Sequence, residues 1–125
     1  MKYCPYCGLP LTRLPLSGRE RLACPDGKCG FVNWNNPIPV VAAIVEHDDH
    51  VILVRNVGWP VHWYGLVTSF LESGEMPEEG ILREVEEEIG LVAELKSYIG
   101  MYEFYRSNQL IIAYHVTVQT KDATL

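Results

Sequence analysis

The sequence predicts an α/β fold, a mixed sheet with a helix packed on it, preceded by a small unit with its own organisation. Three observations predict it. Apolar, strand-like segments recur from residue 40 onward. Between them the segment Pro77 to Ile89 carries the helical period: Ile81, Leu82, Val85 and Ile89 form an apolar stripe, with Glu79, Arg83 and Glu86 opposite it. Ahead of both, all four cysteines fall in two short loops near the amino terminus.

Those loops, Cys4-Pro5-Tyr6-Cys7-Gly8 and Cys24-Pro25-Asp26-Gly27-Lys28-Cys29-Gly30, are sixteen residues apart and read as a zinc ribbon over residues 1–34. Two knuckles containing glycine and proline bring four thiolates into a tetrahedron and close every coordination position, so the site is structural and not catalytic. The second loop holds four residues between its cysteines where two are more usual, and its longer Asp-Gly-Lys turn is expected to distort or weaken the site. Two disulfides in a secreted domain are the competing interpretation. No apolar signal segment precedes Met-Lys-Tyr-Cys, which disfavours secretion and leads to the expectation of a cytoplasmic protein. So small a unit has little core, and zinc would supply much of its stability. Zinc ribbons also bind nucleic acid. A net charge of −6 and a pI near 5.1 argue against strong backbone binding, with Arg13, Arg19 and Arg21 as a local basic exception.

Phe31 to Pro39, containing Asn35-Asn36-Pro37, reads as the connection to a second domain over residues 37–125. Val40 to His47 and His50 to Asn56 are strand-like and joined through Asp48-Asp49 as a hairpin. Trp63 to Phe70 is a further strand. It feeds the loop Glu72 to Met76 and then the helix, after which Ala93 to Gly100, Met101 to Arg106 and Gln109 to Thr120 read as strands. The longest apolar run, Pro39 to Val45, is far too short to span a membrane, and no internal repeat is evident.

Eight of the sixteen acidic residues lie between Glu72 and Glu88, with Arg83 the only nearby cation. On a helix from Pro77, Glu84, Glu87 and Glu88 fall at i, i+3 and i+4, where their carboxylates repel one another. A divalent cation would remove that repulsion, and hard oxygen ligands suit Mg²⁺ or Mn²⁺. A solvated acidic face with no ligand is the alternative. Met76 offers no side-chain oxygen to cap the helix behind Pro77, and Gly80 costs about 1 kcal/mol relative to alanine, so a looser first turn is expected.

The run Ser69 to Leu91 closely resembles the signature box of the Nudix hydrolases: glycine, five residues, glutamate, seven residues, then Arg-Glu-apolar-x-Glu-Glu-x-Gly-apolar. Glu75 takes the first acidic position, and Arg83, Glu84, Val85, Glu87, Glu88, Gly90 and Leu91 fill the rest. Ser69 stands where the box opens with glycine, at a turn where a Cβ would hinder the backbone geometry. The resemblance implies an α/β/α sandwich built on a mixed sheet. It also implies metal-dependent hydrolysis of a pyrophosphate linkage, with Glu84, Glu87 and Glu88 holding Mg²⁺ or Mn²⁺ and one of them sharing the role of base. Arg83 and Glu75 would pair to orient the helix and its ligands. From spacing alone, an ordinary surface pair of Arg83 with Glu79 or Glu87 is equally compatible.

A ribbon joined to such a domain resembles the NAD(H) pyrophosphatase subgroup, but the Ser-Gln-Pro-Trp-type motif of that subgroup is missing from YIGMYEFYRSNQL. The broader substrate class, an ADP-ribose-like or other nucleoside diphosphate derivative, is the expectation, with nucleic acid disfavoured. Tyr102, Phe104, Tyr105, Trp59 and Trp63 either stack a base or fill the core, with core favoured. His115 reads as a packed or surface histidine, and His62 beside Trp63 as a residue able to approach substrate. The family's fold continues through more sheet and a final helix, so the early end at Leu125 implies an incomplete domain, an exposed sheet face and a homodimer. A binding or regulatory module with a decayed box, its ribbon recruiting protein or nucleic acid, is the competing function.

Overall fold

A computed structural model describes residues 1–54 and 65–119. The chain divides into two compact units, Met1–Asn36 and Pro37–Leu125. In the first, β1 (Thr12–Leu16), β2 (Arg19–Ala23) and β3 (Val32–Asn33) form an antiparallel sheet in that order. Leu16 pairs with Arg19 across a two-residue turn, and Leu22 with Asn33. Part of the expected connection is therefore structured, because Val32 and Asn33 complete this sheet.

The second unit is built on β4 (Ile38–His47), an apolar strand whose Val41, Ala43 and Val45 are fully buried. One edge of β4 carries β5 (His50–Ile52) and β6 (Val67–Phe70), both antiparallel; along the other runs β8 (Gln109–Gln119), parallel, with Ala42 opposite Ala113. β7 (Val92–Phe104) pairs antiparallel with β8 and completes a five-stranded mixed sheet. Asp48 and Asp49, at φ 50° and 64°, make the β4–β5 hairpin turn, a left-handed geometry that aspartate tolerates.

The helix α1 spans Pro77–Ile89 and ends at Gly90, whose φ of 80° lets its N–H reach the Glu86 carbonyl. Its Ile81 and Val85 are completely buried and pack with Val41, Ala43, Val45, Val67 and Val116, with Leu82 and Ile89 at the margin. This stripe fixes which way the acidic positions face. The structure differs from expectation around β7. Two strands were expected at 93–106, but one continuous strand forms, with irregular register at Leu95/Ser97 and Tyr98/Gly100. The core reading of three aromatics is also corrected: Tyr102, Phe104 and Tyr105 are exposed, Tyr105 to 75%. They follow the outer strand and its terminal turn, where, among the described residues, a single neighbouring strand pairs with the chain. Trp59, His62 and Trp63 lie outside the described residues. Among those described, no helix is long and apolar enough to cross a membrane.

Candidate active site and metal centre

Within the first unit the four sulfurs converge. Cys4 Sγ lies 3.6 Å from Cys29 Sγ, Cys7 Sγ lies 3.5 Å from Cys24 Sγ, and all four lie within 4.8 Å of one another. These distances are too long for disulfides, which need about 2.05 Å. They suit a tetrahedron: at a Zn–S bond of about 2.3 Å its edge is about 3.8 Å. Backbone bonds shape both knuckles, Gly8 N–H donating to the Cys4 carbonyl and Cys24 N–H to that of Phe31. The long second loop is braced from within: Asp26 accepts the Lys28 N–H on its side chain and the Cys29 N–H on its carbonyl. Burial opposes ionisation at Cys4, yet the N–H groups of Cys7 and Tyr6 outweigh it and bring that thiol down to about 7. At Cys24 burial prevails and pushes the thiol up to about 12. Four thiols this close ionise together only around a cation.

In the second unit Arg83 is the organising residue. Its Nε and Nη2 donate to the two oxygens of Glu75 at 3.2 and 3.0 Å, while Nη1 reaches Glu84 at 3.3 Å and Glu87 at 3.4 Å. Glu79 is not among these partners. Glu75 also accepts the Glu72 N–H at 3.0 Å, so the loop before the helix is tied to the middle of the helix. The Arg83 hydrogen bonds, followed by that from the Glu72 backbone, hold the Glu75 carboxyl below the usual carboxylate range. A depressed folded-state pKa stabilises the protein above the unfolded pKa, and this contribution disappears as pH falls through the folded value. Arg83→Lys keeps the charge and loses the planar two-pronged grip. We expect it to lower activity about ten- to a hundredfold, and to flatten the acid limb of a thermal-stability profile taken across the carboxylate range.

Glu84 is 21% exposed and Glu87 62%. Glu84 and Glu88 line one cavity of about 100 Å³ together with Val54, Leu66, Val67 and Thr68, so two of the three expected ligands face strand β6. Glu87 turns to Arg83. Among the described residues only the cysteines converge tightly enough to form a ready cluster of three or more metal-ligating groups. The last turn of α1 nevertheless holds Glu86, Glu87 and Glu88 with no basic residue, at the negative end of the helix dipole. Thr68 was not singled out from the sequence. Its signal is a polar side chain on the strand that feeds the acidic loop.

Ser69 and Gly80 each fit their place in the fold. Ser69 sits in regular antiparallel pairing with Val41, has no positive φ, and donates its hydroxyl to the Phe70 carbonyl, so its Cβ meets no left-handed backbone. Gly80 is buried, and a Cβ there would lie 2.7 Å from Glu75 Oε1 and 3.1 Å from Leu71 Cδ1. The glycine makes room for the carboxylate that Arg83 holds. In Gly80→Ala the helix-propensity gain of about 1 kcal/mol opposes displacement of the Glu75 tip, giving near-neutral stability. Gly80→Val should lower the melting temperature, because its branched side chain cannot be accommodated by that small adjustment. The helix start has no side-chain cap at Met76, as expected. It is tied instead through Glu78, which accepts the hydroxyl of buried Tyr114 at 3.2 Å. His115 pairs with Glu46 at 2.8 Å and is part of the sheet surface.

This order of strand, acidic loop and helix is shared with known proteins. A NUDIX domain profile matches residues 36–124, and the chain belongs to the Nudix hydrolase family. Over 115 residues it is 30% identical to the NAD-capped RNA hydrolase NudC of Pseudomonas aeruginosa, covering 91% of this chain and 40% of that protein. Over 119 residues it is 32% identical to the human mitochondrial NAD(P)H pyrophosphatase NUDT13, covering 94% of this chain and 33% of that one. The chain thus spans about two fifths or less of these relatives' length. A crystal structure of a NUDIX hydrolase from Nitrosomonas europaea superposes with a TM-score of 0.82 at 26% identity, covering 98% of this chain and 70% of the other.

Proposed function

We propose that the chain hydrolyses the pyrophosphate linkage of a nucleoside diphosphate derivative, with a dinucleotide such as NADH as the preferred type. The observation that carries this reading is the placement of Glu84 and Glu88 in one cavity against Thr68, while Arg83 fixes Glu75, Glu84 and Glu87 beside it. The printed activities of the two relatives, on NAD-capped RNA and NAD(P)H, support a dinucleotide-type substrate.

The donor set fits Mg²⁺ or Mn²⁺: carboxylate oxygens, adjacent on one helix, at the helix end where their charge is least favourable. Glu84 and Glu88 would hold the cation with Glu87. The cation supplies charge neutralisation for the diphosphate and a water made more nucleophilic. The protein's own part is positioning. Arg83 sets the Glu84 carboxylate by a direct hydrogen bond, and the Glu75 link keeps the loop from moving away from the helix. A carboxylate of this group accepts the proton as water adds to phosphorus and the bridging P–O bond breaks. The cysteine tetrad takes Zn²⁺ as a structural ion, in keeping with its closed set of four sulfurs.

The test is release of AMP from NADH and from ADP-ribose, measured separately with Mg²⁺ or Mn²⁺. AMP from both, faster from NADH, is the expected result. Folded protein that releases AMP from neither overturns the reading.

A further inference from the structure

We propose that the zinc-ribbon unit carries its own binding site for single-stranded nucleic acid, on the surface where Arg13, Arg19 and Trp34 meet. This does not depend on the pyrophosphatase reading. A cavity of about 360 Å³, enough for one nucleotide, is walled by these residues together with Arg21, Asn33 and Glu20. Leaving the thiols aside, residues 1–36 hold five Lys and Arg against two acidic residues, a charge of +3, within a chain whose net charge is −6. The basic character is therefore local to this unit, and it favours a polyanion there.

The three arginines differ in what they are free to do. Arg21 is committed: it donates to the carbonyls of Leu16 and Trp34, and its guanidinium lies 4.8 Å above the Trp34 ring. That stack orients the indole, which is still 45% exposed and so keeps ring surface available for a base. Arg13 and Arg19 are exposed and make no ion pair among the described residues, so they can receive phosphates without breaking an internal contact. Asn33 already accepts the Asn35 N–H on its side-chain oxygen at 3.1 Å, which holds the amide in place and leaves its NH2 group to meet a base edge. Glu20 is a carboxylate in the same wall, which selects against a purely electrostatic grip and leaves stacking on Trp34 a necessary part of recognition. An oriented aromatic ring, guanidinium groups with no ion pair among the described residues and nucleotide-sized space are the parts that single-strand recognition uses.

The experiment is fluorescence polarisation of a labelled, uncapped 12-nucleotide single-stranded RNA with the full chain, in Mg²⁺-free buffer with zinc retained. The probe has no pyrophosphate, so failure of the hydrolase reading would leave this measurement unaffected. Arg13→Gln/Arg19→Gln should weaken binding at least tenfold and lower the salt slope by about 1.4, two phosphate contacts at about 0.7 each. Trp34→Ala should weaken it about tenfold. Zinc content and circular dichroism establish that the variants are folded; both arginines are exposed, so the double variant keeps the test decisive should Trp34→Ala unfold. Unchanged affinity in the double variant overturns the proposal. So does displacement by inorganic polyphosphate as effective as by RNA, with Trp34→Ala unaltered, which would define a general anion patch.

Discussion

Glu88→Gln is expected to abolish turnover, by at least about a hundredfold, while leaving the fold intact. Glu88 is exposed on the last turn of α1, where it lines the cavity with Glu84 and takes no part in the apolar stripe. Its removal relieves repulsion with Glu84 and Glu87 and also relieves an unfavourable charge at the helix C-terminus. The variant should therefore be at least as stable as the parent without divalent cation. A residue kept at a cost to stability and needed for activity is what a metal ligand would be. Thermal melts separate this from a general structural defect: Mg²⁺ or Mn²⁺ should raise the parent's melting temperature, by about 2.7 kcal/mol of stabilisation at a hundredfold excess over Kd, and raise that of Glu88→Gln far less. Equal shifts in the two proteins would move the metal away from Glu88.

Cys24→Ser is expected to have the larger effect on folding. Cys24 is buried immediately after β2, and its sulfur lies 3.5 Å from that of Cys7. A structural Zn²⁺ in a small module contributes apparent binding energy on the order of 10 kcal/mol, more than the short three-stranded sheet of this unit can replace. The variant should lose bound zinc, from one equivalent to below a tenth by elemental analysis, and the amide signals of residues 1–36 should collapse towards random-coil positions. Those of the second unit should persist, since its core of Val41, Val45, Ile81 and Val85 contains no residue from the ribbon. Acidification should mimic the variant, because each ligand must be a thiolate. The proton competes most effectively at Cys24, whose thiol is already raised to about 12 by burial. Retention of stoichiometric zinc in Cys24→Ser would rule out the four-sulfur site.

The helix was legible residue by residue. Pro77 sets its start, Gly90 ends it in a left-handed conformation, and the period of Ile81, Leu82, Val85 and Ile89 names its buried face. The cysteine spacing was legible for a similar reason: a closed metal site needs four sulfurs on two tight turns, and each turn with its pair of cysteines is local in the chain. The hairpin at Asp48-Asp49 was likewise written in a two-residue connection. Less legible were positions whose meaning depends on a partner far along the chain. Gly80 reads as a helix defect until Glu75 is seen crossing it. Ser69 reads as an obstruction until its extended pairing with Val41 is known. The aromatics of β7 read as core because alternation does not reveal that a strand lies at the edge of a sheet.

The sequence by itself determined the family, the helix with its acidic face, and the four-cysteine unit, because the box and helix rest on residues close in the chain and each cysteine knuckle is a short loop whose spacing is itself the signature of a metal site. Only the tertiary structure decided between the partners open to Arg83, which grips Glu75 across eight residues and also holds Glu84 and Glu87, and only it showed that Glu84 and Glu88 share a cavity with Thr68 and that Arg21 stacks on Trp34 in the cavity that Arg13 and Arg19 also line. Those contacts depend on how the sheet and helix pack and on the side-chain directions that packing fixes, and neither is encoded in spacing along the chain.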